Sequence, residues 1–251
     1  VLNYSAGAVD VANFHIGATL HRQTQAVLAF MAAPLQPKLT ELNARGSANE
    51  FSSLTLRGSR YFLWIAGSLL LALISIGEAA IEEYTNTEYW GGYDVAVALF
   101  VMLLFTQASA LLPSAAVAKL MVRTFYLGAF VTQLISFGMV VLFVTIMDRG
   151  AYYAAIGVAA ATILGQLLFF WPLMFKICRL SPSAVMIETL ARGFLPVVIC
   201  SGLVYATRGV LGDLERFGIW PAVAQFIVAL SIYCLLLFVF MTSAERQLIR
   251  S

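Results

Sequence analysis

Five residues in one short stretch could do chemistry together: His15, Thr19, His21, Arg22 and Gln25. On a helix turning about 100° per residue, His15, Thr19, Arg22, Ala26, Ala29 and Ala33 fall within one arc. Ala18, His21 and Gln25 flank that arc, while Ile16, Leu20, Val27, Leu28 and Met31 take the opposite side. With three potential cations on one helix, this polar, small-residue face could line a water-filled cavity in which Arg22, with His15 and His21, attracts an anion. The plainer alternative is a packed helix, in which Arg22 pairs with a carboxylate or carbonyls of a neighbour and each imidazole stays neutral and hydrogen-bonded.

The elements that must carry this face are set by composition. Hydrophobic residues make up 61% of the 251 and charged residues only 11%. Soluble domains run near 45–50% apolar and about 25% charged, so this chain has more apolar surface than water tolerates. The apolar residues also come in long runs. A helix crossing the roughly 30 Å hydrocarbon core needs about 20 of them. Seven segments qualify, approximately Val11–Leu35, Tyr61–Ile81, Tyr93–Leu120, Thr124–Met147, Ala151–Phe175, Gly193–Leu211 and Phe217–Met241. The expected fold is all-α, a polytopic transmembrane bundle of about seven spans. Pro113 should kink the third span, and the stretch from Gln36 to Arg60 alternates enough to form a helix on the membrane surface.

Lysine and arginine placement orients these spans, because cytoplasmic loops are enriched in both. Lys38, Arg45, Arg57, Arg60, Lys119, Arg123, Lys176, Arg179, Arg192, Arg246 and Arg250 fall on one side, and only Arg149, Arg208 and Arg216 on the other. This bias alternates correctly through all seven segments and puts the C-terminus in the cytoplasm. Glu78, Glu82, Glu83, Glu88, Asp94, Asp148, Asp213 and Glu215 crowd the opposite side. Arg22 is the cation left over, about midway between Asp10 and Lys38. A charge at the bilayer centre costs about 2.5–3.5 kcal/mol on insertion scales, so Arg22 must face protein or water.

Other polar residues in the spans point to packing. Gln107, Gln133, Gln166 and Gln225 stand one per helix, where an amide serves as interhelical glue. Gly157, Ala161 and Gly165 form a ridge that allows close helix approach, and Tyr61, Trp64, Tyr89, Trp90, Tyr93, Trp171 and Trp220 read as interface anchors. Cys178, Cys200 and Cys234 are widely separated, which supports neither a disulfide framework nor a metal site. The sequence carries no HExxH, GxSxG, P-loop or paired-carboxylate motif, so no catalytic residues, metal or cofactor are expected, and the small net charge of +2 gives no sign of nucleic-acid binding. The chain begins at Val1 with no signal peptide, and Val1–Ala8 reads as the tail of an apolar helix, so an upstream portion is expected.

The run VANFHIGATLHRQTQAVLAFMAAPLQPKLTELNARG, Val11–Gly46, resembles a stretch of the polysaccharide flippases of the MATE-like superfamily. There a Gly-x-Tyr begins a helix that ends in Pro-x-x-x-x-Leu and a small loop. Here Ala12, Asn13 and Phe14 stand in place of Gly-x-Tyr, and Pro37, Leu42 and Gly46 fit the end. TEYWGGYDVAVALFVMLLF, Thr87–Phe105, is similar to that family's external turn and following helix. The resemblance is one of layout and covers residues 1–180, the expected core of a C-terminal lobe; 181–251 resembles the extra helix pair of longer members. It implies one lobe of a Wzx-like flippase in the bacterial inner membrane, with a further N-terminal lobe as partner. The implied cargo is an undecaprenyl-pyrophosphate-linked oligosaccharide, moved by alternating access through a cationic cavity. Arg22, with His15 and His21, would meet the pyrophosphate, and Thr19 and Gln25 would hydrogen-bond phosphate or sugar. A multidrug or ion antiporter of the same superfamily, a membrane glycan polymerase and an assembly subunit are the competing readings.

Overall fold

The computed structural model describes residues 7–85, 91–147, 150–179, 181–211, 219–242 and 245, and all regular structure among them is helical. The helices are α1 (Ala8–Ala32), α2 (Leu35–Ala44), α3 (Ala48–Ala72), α4 (Glu78–Thr85), α5 (Gly91–Gln107), α6 (Leu112–Ala118), α7 (Val122–Met147), α8 (Gly150–Gly165), α9 (Trp171–Cys178), α10 (Pro182–Met186), α11 (Leu195–Leu211) and α12 (Trp220–Phe240). Widened π-helical turns at Leu73–Gly77, Gln166–Phe170 and Ile187–Phe194 join α3 to α4, α8 to α9 and α10 to α11. Val1–Ala6, and with them most of the expected upstream helix tail, lie outside the described residues, as do Glu88, Tyr89, Trp90, Asp148, Arg149, Asp213, Glu215, Phe217, Arg216, Arg246 and Arg250.

Six stretches are long and apolar enough to cross a membrane: Ala48–Ile81, Gly91–Ala118, Val122–Thr145, Gly150–Cys178, Ile187–Thr207 and Trp220–Phe240. The chain is thus a multi-pass membrane protein of the all-α class. The first of the seven expected segments, α1, has the length but not the apolarity, because His21-Arg22-Gln23-Thr24-Gln25 interrupts it. It is nevertheless part of the bundle. Gly17 abuts Val95 and Ala96, His21 meets Phe100, and Leu28 is fully buried, so α1 runs beside α5 in the same direction.

α3 is the spine. It begins at Ala48, well before the expected Tyr61, so half of the expected surface helix belongs to this span. What remains is α2, which ends in a left-handed Gly46 (φ +71°), with the Gly46 and Ser47 amides donating to the Asn43 and Leu42 carbonyls. Such a helix end favours a residue without Cβ. Higher in α3, a Cβ on Gly67 would lie 2.5 Å from a Val197 methyl and 2.6 Å from the Tyr233 hydroxyl, so this glycine lets α11 and α12 both close on the spine. Tyr233 then donates to the Trp64 carbonyl at 2.9 Å. In lipid, where burying an apolar side chain gains little over acyl chains, contacts and hydrogen bonds of this kind hold helices together.

The third span breaks rather than kinks. α5 stops at Gln107 and α6 restarts at Leu112, with Pro113 in its first turn. The Leu111 amide freed by the break donates to Ser59 Oγ of α3 at 3.2 Å, which meets the demand that no backbone group go unbonded at membrane depth. The Gly157–Ala161–Gly165 ridge packs as expected: a Cβ on Gly157 would sit 3.1 Å from the Met139 carbonyl oxygen, and one on Gly165 would sit 2.6 Å from Thr132. Three expected interface anchors are instead core residues. Trp64, Tyr93 and Trp171 are buried within the bundle, and among the described anchors Trp220, 73% exposed, and Tyr61, 39% exposed, stay open. Their aromatic surface goes to helix packing, Trp171 stacking on Phe105 for example.

The two ends of the bundle differ in charge, as the alternation requires. At one end Asn43 Nδ2 donates to the Ala118 carbonyl at 2.7 Å, Ser52 Oγ to the Cys178 carbonyl at 2.6 Å, and the Lys119 ammonium sits over the Phe51 ring. Lys38, Arg45, Lys119, Lys176 and Arg179 therefore share this end. At the other end Asp10 lies against Gly150 and Asn13 against Gly91.

Candidate functional site

α1 shows three faces. Asn13, Gly17, His21 and Leu28 are buried toward α5, while Leu20, Val27, Phe30 and Met31 are exposed and apolar. The third face carries His15, Thr19, Arg22 and Ala26 and is open. Two expectations change here. Leu28 belongs to the core and not to the lipid side, and His21 is turned away from the open face, packed edge-on against Phe100 with its centroid 6.5 Å away. Among the described residues, Arg22 takes no partner from a neighbouring helix. Its Nε donates to the Ala18 carbonyl at 3.3 Å and its Nη2 to Thr19 Oγ1 at 3.2 Å. Both are bonds within its own turn, and no carboxylate pairs with it among the described residues.

Gln25 stands three residues further, about 4.5 Å along the axis and about 60° around from Arg22. It lies at the rim of a cavity of about 280 Å³. α1 forms one wall with Gln25, Leu28, Ala29 and Ala32; the break between α5 and α6 supplies Thr106, Gln107, Ser109 and Pro113. α7 contributes Phe125, and the widened turn after α8 contributes Gln166 and Phe170. Two of the bundle's helix irregularities thus meet at one cavity of mixed polar and apolar lining. A π-turn and a broken helix are both common at functional sites, and irregular backbone at membrane depth is tolerated where it lines such a space. The cavity lies past the middle of the Gly91–Ala118 stretch, toward its Ala118 end, and Arg22, next to the residue that meets Phe100, stands nearer the Asp10 end.

By their place in apolar spans, Gln107, Gln133, Gln166 and Gln225 are all expected to be packing amides. Gln166 partly is one, since its Oε1 accepts from Ser109 Oγ at 2.7 Å. Gln225 fully is one, donating to the Val204 carbonyl at 2.9 Å and to Thr207 Oγ1 at 2.8 Å. Gln133 is exposed on α7. Gln107 is different: it is only 8% exposed, yet makes no side-chain hydrogen bond among the described residues and lines the cavity. The available signal was its place six residues before Pro113, where a helix break turns a span residue into a cavity residue. A second cleft of about 600 Å³ between α11 and α12 is almost wholly apolar, with Gln225 and Thr207 already bonded to each other, so it suits acyl chains and not a polar substrate.

A second cluster lies at the basic end and was missed. Arg60, expected in a loop, is 2% exposed inside α3. Its guanidinium pairs with both Glu188 and Glu245 and lies 5.0 Å from the Trp64 ring centroid. Arg192 pairs with Glu188 and accepts, through its carbonyl, a bond from Trp64 Nε1 at 2.8 Å. Glu245 further accepts from Tyr61 at 2.6 Å and from the Thr242 amide and hydroxyl at 2.7 and 2.9 Å. Burial alone would raise the Glu245 pKa, but the bonds from Tyr61 and Thr242 and the Arg60 charge outweigh it and hold the carboxyl below its usual value. The signal was Glu188 and Glu245, two of the four carboxylates on the side otherwise rich in cations. The cluster joins α3, the turn before α11 and the segment after α12, which is a structural role.

No protein-family model, no curated protein and no solved structure matches this chain.

Proposed function

We propose that this protein is one lobe of a membrane transporter that passes an anionic, lipid-linked cargo, an undecaprenyl-pyrophosphate-linked oligosaccharide, across the bacterial inner membrane. The observation that carries the reading is Arg22: a cation midway along α1 and beside the Gly91–Ala118 span, bonded only within its own turn and without a carboxylate partner among the described residues. A guanidinium there needs an anion or water, and a diphosphate offers paired oxygens to its fork of donors. The cargo's isoprenoid tail stays in lipid while its charged head requires a sheltered polar route. The face bearing His15, Thr19 and Arg22 supplies one side of that route, and a second lobe facing it supplies the other. Rocking of two lobes about a central site gives alternating access. The basic end, with the C-terminus, lies in the cytoplasm by the positive-inside rule. The resemblance of Val11–Gly46 and Thr87–Phe105 to polysaccharide flippases names the cargo class, and its family assignment stands on that layout alone. In cells that export glycan through this protein, Arg22→Ala is expected to abolish export at unchanged protein level, and Arg22→Lys to retain part of it. Unaffected export in Arg22→Ala cells would overturn the reading.

A further inference from the structure

The cavity beside α1 differs in chemistry from the face that bears Arg22. No charged side chain lines it. Its polar groups are the amides of Gln25, Gln107 and Gln166 and the hydroxyls of Thr106 and Ser109, and its apolar ones include the rings of Phe125 and Phe170, with centroids 5.4 Å apart. Amides present a donor and an acceptor side by side, which matches vicinal hydroxyls, and an aromatic face packs on the C–H side of a saturated ring. An anion would find no cation within such a lining, and a purely apolar ligand would strip the amides of water without replacing their bonds. At about 280 Å³ the space lies at the small end of ligand pockets and admits one sugar ring.

Gln107 turns this from a lining into a site. Gln107 is a residue only 8% exposed whose amide has no hydrogen-bond partner among the described residues and lines the cavity, so its bonds must come from whatever occupies that space. We infer that this cavity is a binding site for an uncharged sugar unit, held by Gln25, Gln107 and Gln166 against Phe125 and Phe170. This extends the transporter reading by naming which part of the cargo is held here. Arg22 stands one helical turn from Gln25, so an anionic group could be bound next to the sugar and not within its pocket.

The test uses the full chain in lipid nanodiscs and a panel of methyl glycosides (glucoside, galactoside and N-acetylglucosaminide), with binding read by saturation-transfer NMR. At least one glycoside is expected to bind, and Gln107→Leu to weaken it by about fivefold to tenfold, as for one or two lost neutral hydrogen bonds. Gln25→Leu, at an exposed helix position that folding does not need, should weaken it in the same direction. Gln133→Leu, on the outer face of α7, should leave it unchanged. Binding of no glycoside by the unmodified protein would overturn the inference, as would equal binding by the Gln107→Leu and Gln25→Leu proteins. Farnesyl pyrophosphate, tested separately, addresses the cargo reading: glycoside binding without farnesyl pyrophosphate binding supports the sugar pocket and sinks the pyrophosphate assignment.

Discussion

Glu245→Gln is the sharpest perturbation of the bundle, because it keeps the side chain's shape and removes one charge from a buried triad. Glu245 receives Arg60, the Tyr61 hydroxyl, and the Thr242 amide and hydroxyl. A glutamine can keep one or two of these on its oxygen, but its amide nitrogen then points donors at donors. Breaking a buried ion pair by removing one partner costs about 3–5 kcal/mol, and since Glu188 still serves Arg60 the lower end, about 3 kcal/mol, is expected here. The measurement is a double-mutant cycle with Arg60→Met, read as SDS-induced unfolding of reconstituted protein through tryptophan fluorescence; Trp64, against Arg60, reports locally. Replacing both members by uncharged groups relieves the stranded cation, so the double variant should be more stable than the sum of the single effects by more than 1 kcal/mol, the scale of coupling between contacting residues. The sign of the pH dependence follows from the carboxyl's lowered pKa. Its contribution is complete above the unfolded carboxylate value, about 4.3, and is lost as pH falls through the lower folded value. Unmodified and Glu245→Gln proteins should therefore differ fully at neutral pH and converge in acid below that window. Coupling under about 0.5 kcal/mol, or a difference that persists unchanged in acid, would refute the reasoning.

Two further substitutions probe the helix irregularities. Ser59→Ala strands the Leu111 amide at the break between α5 and α6 and should cost about 1–3 kcal/mol in the same unfolding assay, with faster hydrogen exchange at Leu111. Gly157→Leu puts a side chain where the α7 backbone already stands and should destabilise by more than about 1 kcal/mol, whereas Gly138→Ala, with no atom within 4 Å of its added Cβ, should be neutral or slightly stabilising.

The membrane character and the alternation of helices were legible in the sequence, because lipid leaves the backbone one way to bond itself across a span and cationic loops mark which ends go together. The Gly157–Gly165 ridge was legible for a similar reason, since small residues at helical spacing have one use between helices. The polar stretch of α1 was readable too, and Arg22, His15, Thr19 and Gln25 emerge on its open side. Tertiary structure decided what periodicity leaves open. His21 and Leu28 differ little in angle from their neighbours on the helical wheel, and only the docking of α5 against that sector made them core. Gln107 and Gln225 are the same residue type in similar apolar runs; the break before Pro113 left one facing a cavity, and the crossing of α11 and α12 gave the other two partners. Arg60, Glu188 and Glu245 are 128 and 57 residues apart along the chain, a separation over which a sequence holds no sign of contact. Charge counting put Arg60 in a loop because it sees side, not burial. The fold placed it inside by extending α3 to Ala48 and bringing two carboxylates to meet it.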